Sequence, residues 1–492
     1  MRFDITVLAV SVLLAAGLLA VMRGITSKRK AWIRVGRSPG PFGVNRRAAS
    51  QEFQLNGRAL VRDGYRKHKG QNFVIQTAHK EQLVIAPKFL PEIRMMPESK
   101  LSHAQVIIYN LVGEHIGAEM AMEGHQHIDV VRGPLTRSLK TVVPIMHREY
   151  RRASEAIFSQ IPKDSNQMNV YSFCYAMVQG ITSTVFIGED LAHGGGWDKI
   201  VMEYFPEAMR IRNALIHWPR PIRPIVKPFL VPNNQLEMIL TRAERFLEEP
   251  IRRRREPNNH DVDILKFLAE YNGSPRKVAM QSLGIITGAL NTSTHAITQA
   301  IYDICTQPQY IADIRAEAIE ALASEGGQWT LEVCKKLHLL DSFLKESLRL
   351  LAPEGLGVTR IATSSFGLSD GTWIPQGTYL AVAGEAMALD PDFYQNPETF
   401  DGRRFIDADG YPLKPDREFS GIEPGNGMWG SGRLTCPGRH YASALSKIIV
   451  ASLLLKYDIS FPEGQKEGPP GTEDDANILP DVTQMIILSE RE

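Results

Sequence analysis

A single cysteine stands in a run of glycines just ahead of a long apolar stretch, and few folds can use that arrangement. The run reads Trp429-Gly430-Ser431-Gly432-Arg433-Leu434-Thr435-Cys436-Pro437-Gly438-Arg439. Gly425 and Gly427 lie just before it. Glycine takes backbone angles closed to other residues and lets a chain approach a flat ligand closely. Pro437 suits the first position of a helix. The apolar pattern after it predicts a helix to about Tyr457. At a helix N-terminus, free N–H groups and the dipole favour a thiolate. Taken alone, Cys436 reads first as a buried structural cysteine, so other parts of the chain must decide.

Composition narrows the choice. The 492 residues carry 56 Lys+Arg against 55 Asp+Glu, a net charge of +1. That balance argues against a nucleic-acid binder. The apolar fraction of 43% and charged fraction of 23% are those of a globular chain. The four cysteines, Cys174, Cys305, Cys334 and Cys436, form no CxxC pair. That argues against a structural zinc site, a disulfide scaffold would need denser cysteine, and free thiols point to a reducing compartment.

Residues 5–22 carry no charge. Eighteen helical residues span about 27 Å, close to a bilayer core. The apolar part of a cleaved signal peptide is shorter. Arg2 and Asp4 precede the run, while Arg23, Lys28, Arg29 and Lys30 follow it. The positive-inside rule then puts the bulk of the chain in the cytosol. Ser38-Pro39-Gly40-Pro41 is stiff punctuation. The expected organisation is a membrane anchor at 1–27, a basic, Pro/Gly-containing hinge at 28–45, and one large domain at 46–492.

Residues 73–75 and 83–86 read as strands around a polar turn. Residues 106–350 are mostly helical in pattern, and strand patterns return at 359–363 and 379–382. The domain is expected to be mainly α with small β-sheets. Two stretches imitate a lipase. His193-Gly194-Gly195-Gly196 looks like an oxyanion loop, and Gly367-Leu368-Ser369-Asp370-Gly371 has the letters of a nucleophile elbow. An elbow needs a strand-to-helix turn, and here strand patterns lie on both sides. Ser369 is a turn residue and the glycine run a flexible loop.

Within the apolar helix pattern at 278–304 sit Gly284, Thr287, Gly288, Asn291, Thr292, Ser293 and Thr294. Gly, Asn and Thr are poor helix residues, and Ser/Thr hydroxyls can bend a helix. A locally unfavourable polar patch in a buried helix is where function is expected. Glu346-Ser347-Leu348-Arg349 puts Glu346 and Arg349 on one helical face. Taken alone, that is an ordinary surface ion pair.

Together these motifs resemble the cytochrome P450 superfamily. The glycine loop resembles its haem-binding pattern F-x-x-G-x-[RH]-x-C-x-G. Trp429 takes the Phe place, Gly432 and Gly438 match, and Cys436 matches the thiolate ligand of the iron. Leu434 departs from the usual Arg or His, and neighbouring Arg433 is the candidate replacement. Glu346-Ser347-Leu348-Arg349 is similar to the family's E-x-x-R. Phe400-Asp401-Gly402-Arg403-Arg404-Phe405 resembles its P-E-R-F region, with Arg404 in the arginine place. In the family these residues form a buried triad. Residues 288–293 resemble the oxygen-binding stretch, with Asn291 where an acid usually stands and Thr292 as the hydroxyl that orients oxygen and water. Arg360 and Arg132 match the family's propionate arginines, although Ile128 replaces a Trp near the second. Alternatively, Arg132 is a surface arginine.

The resemblance implies a P450 fold with an N-terminal transmembrane helix. It implies haem b, O2 as co-substrate, and NADPH electrons delivered by a cytochrome P450 reductase. The substrate is expected to be a hydrophobic small molecule touching Ile285, Ala289, Leu290 and Val358. Ser369-Asp370-Gly371, the following Ile374-Pro375-Gln376-Gly377 and Cys436-Pro437-Gly438-Arg439 are similar to fungal microsomal members of terpenoid and polyketide-hybrid secondary metabolism. The expected location is the endoplasmic reticulum membrane, with the domain facing the cytosol. Asn291 and Leu434 leave two alternatives open: a rearrangement, coupling or ring expansion at the same haem, or a membrane-tethered binding protein without turnover.

Overall fold

The computed structural model describes residues 32–40, 44–160, 166–271, 273–351, 354–423 and 425–491. The anchor expected at 1–27 lies outside these residues. Part of the expected hinge is not a free linker: Ile33–Val35 (β1) pairs in parallel with Phe73–Gln76 (β2).

Nine helices carry the argument: Arg46–Lys67 (α1), Ala104–Leu111 (α2), Leu139–Phe158 (α3), Val170–Ile187 (α4), Gly196–Leu215 (α5), Gln235–Arg254 (α6), Pro275–Thr306 (α7), His338–Leu350 (α8) and Arg439–Lys456 (α9). α7 is 32 residues long. Ser274 caps its start by accepting from the Lys277 N–H, Pro275 fits the first position, and it stops at Gln307 ahead of Pro308. It packs along α4 and α6 and reaches α8 and α9. Apolar burial of Leu283, Ile286, Leu290, Ile297 and Ile301 holds it there. By length and composition α4 could cross a membrane, but most of it is buried in this same core.

The main sheet also contains Glu81–Val84 (β3), Leu101–Ser102 (β4), Gly357–Ala362 (β6) and Tyr379–Val382 (β7), in the order β1-β2-β3-β7-β6-β4. Arg360 pairs with Leu380 and Ile361 with Tyr379, after an irregularity beginning at Gly357. Val358 sits in that irregularity at φ +51°. A second sheet joins Gln167–Asn169 (β5), Tyr457–Ser460 (β8) and Met485–Glu490 (β9), with β9 central. The chain is thus mainly helical with small sheets, and the Cys436 loop enters α9 beside α7.

Candidate active site

The loop is tied before it reaches the cysteine. The Cys436 N–H donates to the Trp429 carbonyl at 2.7 Å. The Trp429 indole N–H donates to the Phe419 carbonyl at 2.5 Å and the two rings meet edge to face. Gly432 has φ +64°, and a Cβ there would lie 2.2 Å from the Arg94 carbonyl oxygen. That glycine therefore lets two backbones touch. The Arg433 N–H donates to the same oxygen at 3.2 Å. The helix does not open at Pro437 as expected: Gly438 is the capping residue and Arg439 the first helical one. This leaves the N–H groups of Gly438 and Arg439 free to donate to the thiol. Burial pushes the Cys436 thiol up, while those two N–H groups and the charges of Arg439 and Arg132 pull it down.

Arginines surround the loop. Arg132 donates to the Arg433 carbonyl at 3.1 Å and the Thr435 carbonyl at 3.4 Å. Arg439 donates through Nη1 to the Cys436 carbonyl at 3.1 Å, and its buried Nε has no partner. Arg360 is 5% exposed and donates to the Thr359 carbonyl at 2.7 Å. Burial lowers it to about 10. Among the described residues no carboxylate lies within ion-pair distance of Arg132, Arg360 or Arg439. Arg433 turns its side chain to solvent, so the cations flanking the thiol are Arg132 and Arg439. The sequence reading gave Arg439 no role. Its signal was an arginine in a first helical turn, where the dipole disfavours a cation and some local partner must compensate.

On α7, Gly284, Gly288 and Thr292 are all exposed although their helix runs through the interior. They recur every four residues and form one open stripe. A Cβ on Gly288 would meet nothing within 4 Å. The hydroxyls do not break the helix. Thr287 donates to the Leu283 carbonyl at 2.7 Å and Thr292 to the Gly288 carbonyl at 2.8 Å. The Asn291 amide donates to the Thr287 carbonyl at 3.2 Å. Ile285 and Ala289 flank the stripe and are half-buried. Leu290 lies away from the stripe. It follows Gly288 by two residues, about 200° around the helix, and packs into the core at 2% exposure. Val358 is also buried, at 7%.

Glu346 and Arg349 are fully buried, so the surface-pair alternative fails. Arg349 grips Glu346 with two hydrogen bonds of 2.7 and 2.8 Å. Arg404 Nε sits 3.0 Å from both Glu346 oxygens. Arg349 also donates to the carbonyls of Ala388 and Pro397. The lipase-like stretches come to nothing. Ser369 lies in a turn between strands Phe366–Gly367 and Trp373–Ile374. The glycine run is a tight link into α5 rather than a loose loop, with His193 held to Glu149 at 2.8 Å.

These residues fit a flat, dianionic, iron-bearing group. A thiol stands in a glycine loop, three cations lack carboxylates among the described residues, one of them has an orphaned buried nitrogen, and a stripe bare of side chains at Gly284 and Gly288 lies open on α7. The frame is that of a cofactor-dependent oxidoreductase. The cytochrome P450 family model matches residues 125–486. The chain belongs to that family and is a P450 monooxygenase. It is 28% identical over 451 residues to the cytochrome P450 monooxygenase AN1598 of Emericella nidulans, covering 89% of this chain and 84% of that protein. It is 28% identical over 484 residues to the cytochrome P450 monooxygenase trt6 of Aspergillus terreus, covering 94% and 96%. It is 28% identical over 454 residues to the ent-kaurene oxidase of Gibberella intermedia, covering 89% and 84%.

Proposed function

We propose that the chain holds haem b through the Cys436 thiolate and oxidises a hydrophobic fungal secondary metabolite, terpenoid or polyketide-hybrid. One relative, the ent-kaurene oxidase, is named for a terpenoid substrate, which supports the terpenoid part of this reading. The observation that carries the reading is the geometry of the loop: Cys436 is tied to the Trp429 carbonyl at the entry to α9, with Arg132 and Arg439 bonded to the loop's own carbonyls beside it. When bound, haem supplies oxygen activation, with electrons passed one at a time from NADPH by a reductase.

The chain's own residues do the rest. Arg360, Arg132 and Arg439 would hold the two propionates. Gly284 and Gly288 keep α7 free of side chains where the ring and oxygen need room. Ile285 and Ala289 present apolar surface that excludes water. Asn291 has its amide committed to Thr287 and cannot ionise, and the Thr292 hydroxyl donates to the Gly288 carbonyl, so its oxygen is left to accept from water. The chain is anchored by residues 5–22 in the endoplasmic reticulum membrane with this site in the cytosol. The test is the carbon monoxide difference spectrum of the reduced protein beside Cys436→Ala. A strongly red-shifted Soret band lost in the variant is the expected result. A well-folded, pigment-free protein would overturn the reading.

A further inference from the structure

Away from the thiol, four segments bring an unbalanced positive cluster together. Lys80, in the turn between β2 and β3, donates to Asn110 Oδ1 at 2.6 Å. Its ammonium also lies 4.3 Å from the Tyr379 ring and 5.1 Å from the Tyr109 ring. Arg212, near the end of α5, donates to the Asn110 carbonyl at 2.8 Å. Neither cation has a carboxylate within ion-pair distance among the described residues. The nearby Arg223 is matched by Glu114 at 2.8 Å. Asp474 and Asp475 act on Arg212 only from farther away. Burial and Arg212 lower Lys80 to about 8, and no carboxylate opposes the shift. His79 is pushed to about 4 by burial and by Arg212, His217, Lys80 and Arg46. The hydroxyls of Tyr109 and Tyr379 have no hydrogen-bond partner among the described residues.

The cluster adjoins the active site. α2 starts after His103, whose ring meets the Thr359 carbonyl at 3.0 Å, next to Arg360. Asn110 is seven residues further on, about 10 Å along the helix axis. Tyr379 pairs with Ile361, the residue after Arg360.

We infer that Lys80 and Arg212, with the hydroxyls of Tyr109 and Tyr379, receive a carboxylate on the substrate. The inference deepens the proposed function and rests on it. It makes the substrate amphipathic: an acid whose oxidised carbon lies far from its head group. Both cations are half-buried with no carboxylate at ion-pair distance among the described residues, and a ligand carboxylate would supply a counter-ion through charge-assisted hydrogen bonds.

Calorimetric titration of the full-length protein tests this with lauric acid and abietic acid, each beside its methyl ester, and with dodecyl phosphate. The acids are expected to bind roughly tenfold more tightly than the esters. The gap should close in Lys80→Met and return in Lys80→Arg, with the carbon monoxide spectrum unchanged in both. Equal binding of acid and ester, or no binding of either acid, overturns the inference. Tighter binding of dodecyl phosphate overturns the carboxylate assignment. Loss of the red-shifted spectrum from the wild type would instead sink the haem-thiolate reading, while the acid preference still reports on the cations.

Discussion

Single residues in this site carry unequal burdens, and the two glycines flanking Cys436 show it. Gly432 has a left-handed φ and a backbone oxygen where a Cβ would go. Gly432→Ala should destabilise the fold by about 1–3 kcal/mol or more, seen as a lower urea midpoint. Gly438 has only ordinary contact, 3.7 Å from Val131. Gly438→Ala should leave the urea midpoint of haem-free protein nearly unchanged and reduce haem loading. A large midpoint drop for Gly438→Ala would show that its role is packing. Glu346→Ala should cost about 3–5 kcal/mol, because Arg349 is left charged, buried and without its carboxylate. Soluble, normally stable Glu346→Ala would contradict that. The Glu346–Arg349 contact was legible from their spacing on one helix, whereas the reading of Cys436 needed several motifs taken together. Arg94 was not. It lies hundreds of residues from the loop, and only the fold reveals that its carbonyl excludes every side chain but hydrogen at Gly432.

Among the elements, α7 was the most readable. Its polar patch stood out in the sequence, and the Thr287 and Thr292 hydroxyls each fold back onto the carbonyl one turn earlier, while the buried Thr294 hydroxyl has no partner among the described residues. The pattern could not say which face was open. Leu290, expected at the substrate, turns away from the open stripe at 2% exposure, since apolar periodicity marks both kinds of surface alike. The C-terminal end of α7 carries a further consequence. Asp303 is buried, accepts from Ser347 at 2.5 Å and Gln299 at 2.8 Å, and burial pushes it up to about 7. The folded protein thus keeps this proton to higher pH than the unfolded chain does. The associated stability is full below the ordinary carboxylate range, near pH 4, and is lost as pH rises through about 7. Asp303→Asn should flatten this part of the dependence of the unfolding temperature on pH between about 4 and about 7. An unchanged slope would show that Asp303 is ionised throughout.

At the scale of the whole molecule, the site is assembled from both parts of the fold. The sheet contributes Arg360, and the helical core contributes Cys436, Arg132, Arg439 and the α7 stripe. The sequence revealed the parts through motifs in order, but not the positive cluster at Lys80, whose members come from four segments with no shared pattern. Every side chain of the site lies downstream of residue 45. The apolar run at 5–22 precedes all of them in the sequence, so any anchoring by it should be separable from the chemistry. Deleting residues 1–27 should move the protein from the membrane pellet to the soluble fraction after salt washing, while the carbon monoxide spectrum stays as in the full chain. Retention in the pellet would mean that another surface binds membrane as well. A lost spectrum in soluble, folded protein would mean that the N-terminal segment supports the site, through β1 and its pairing with β2.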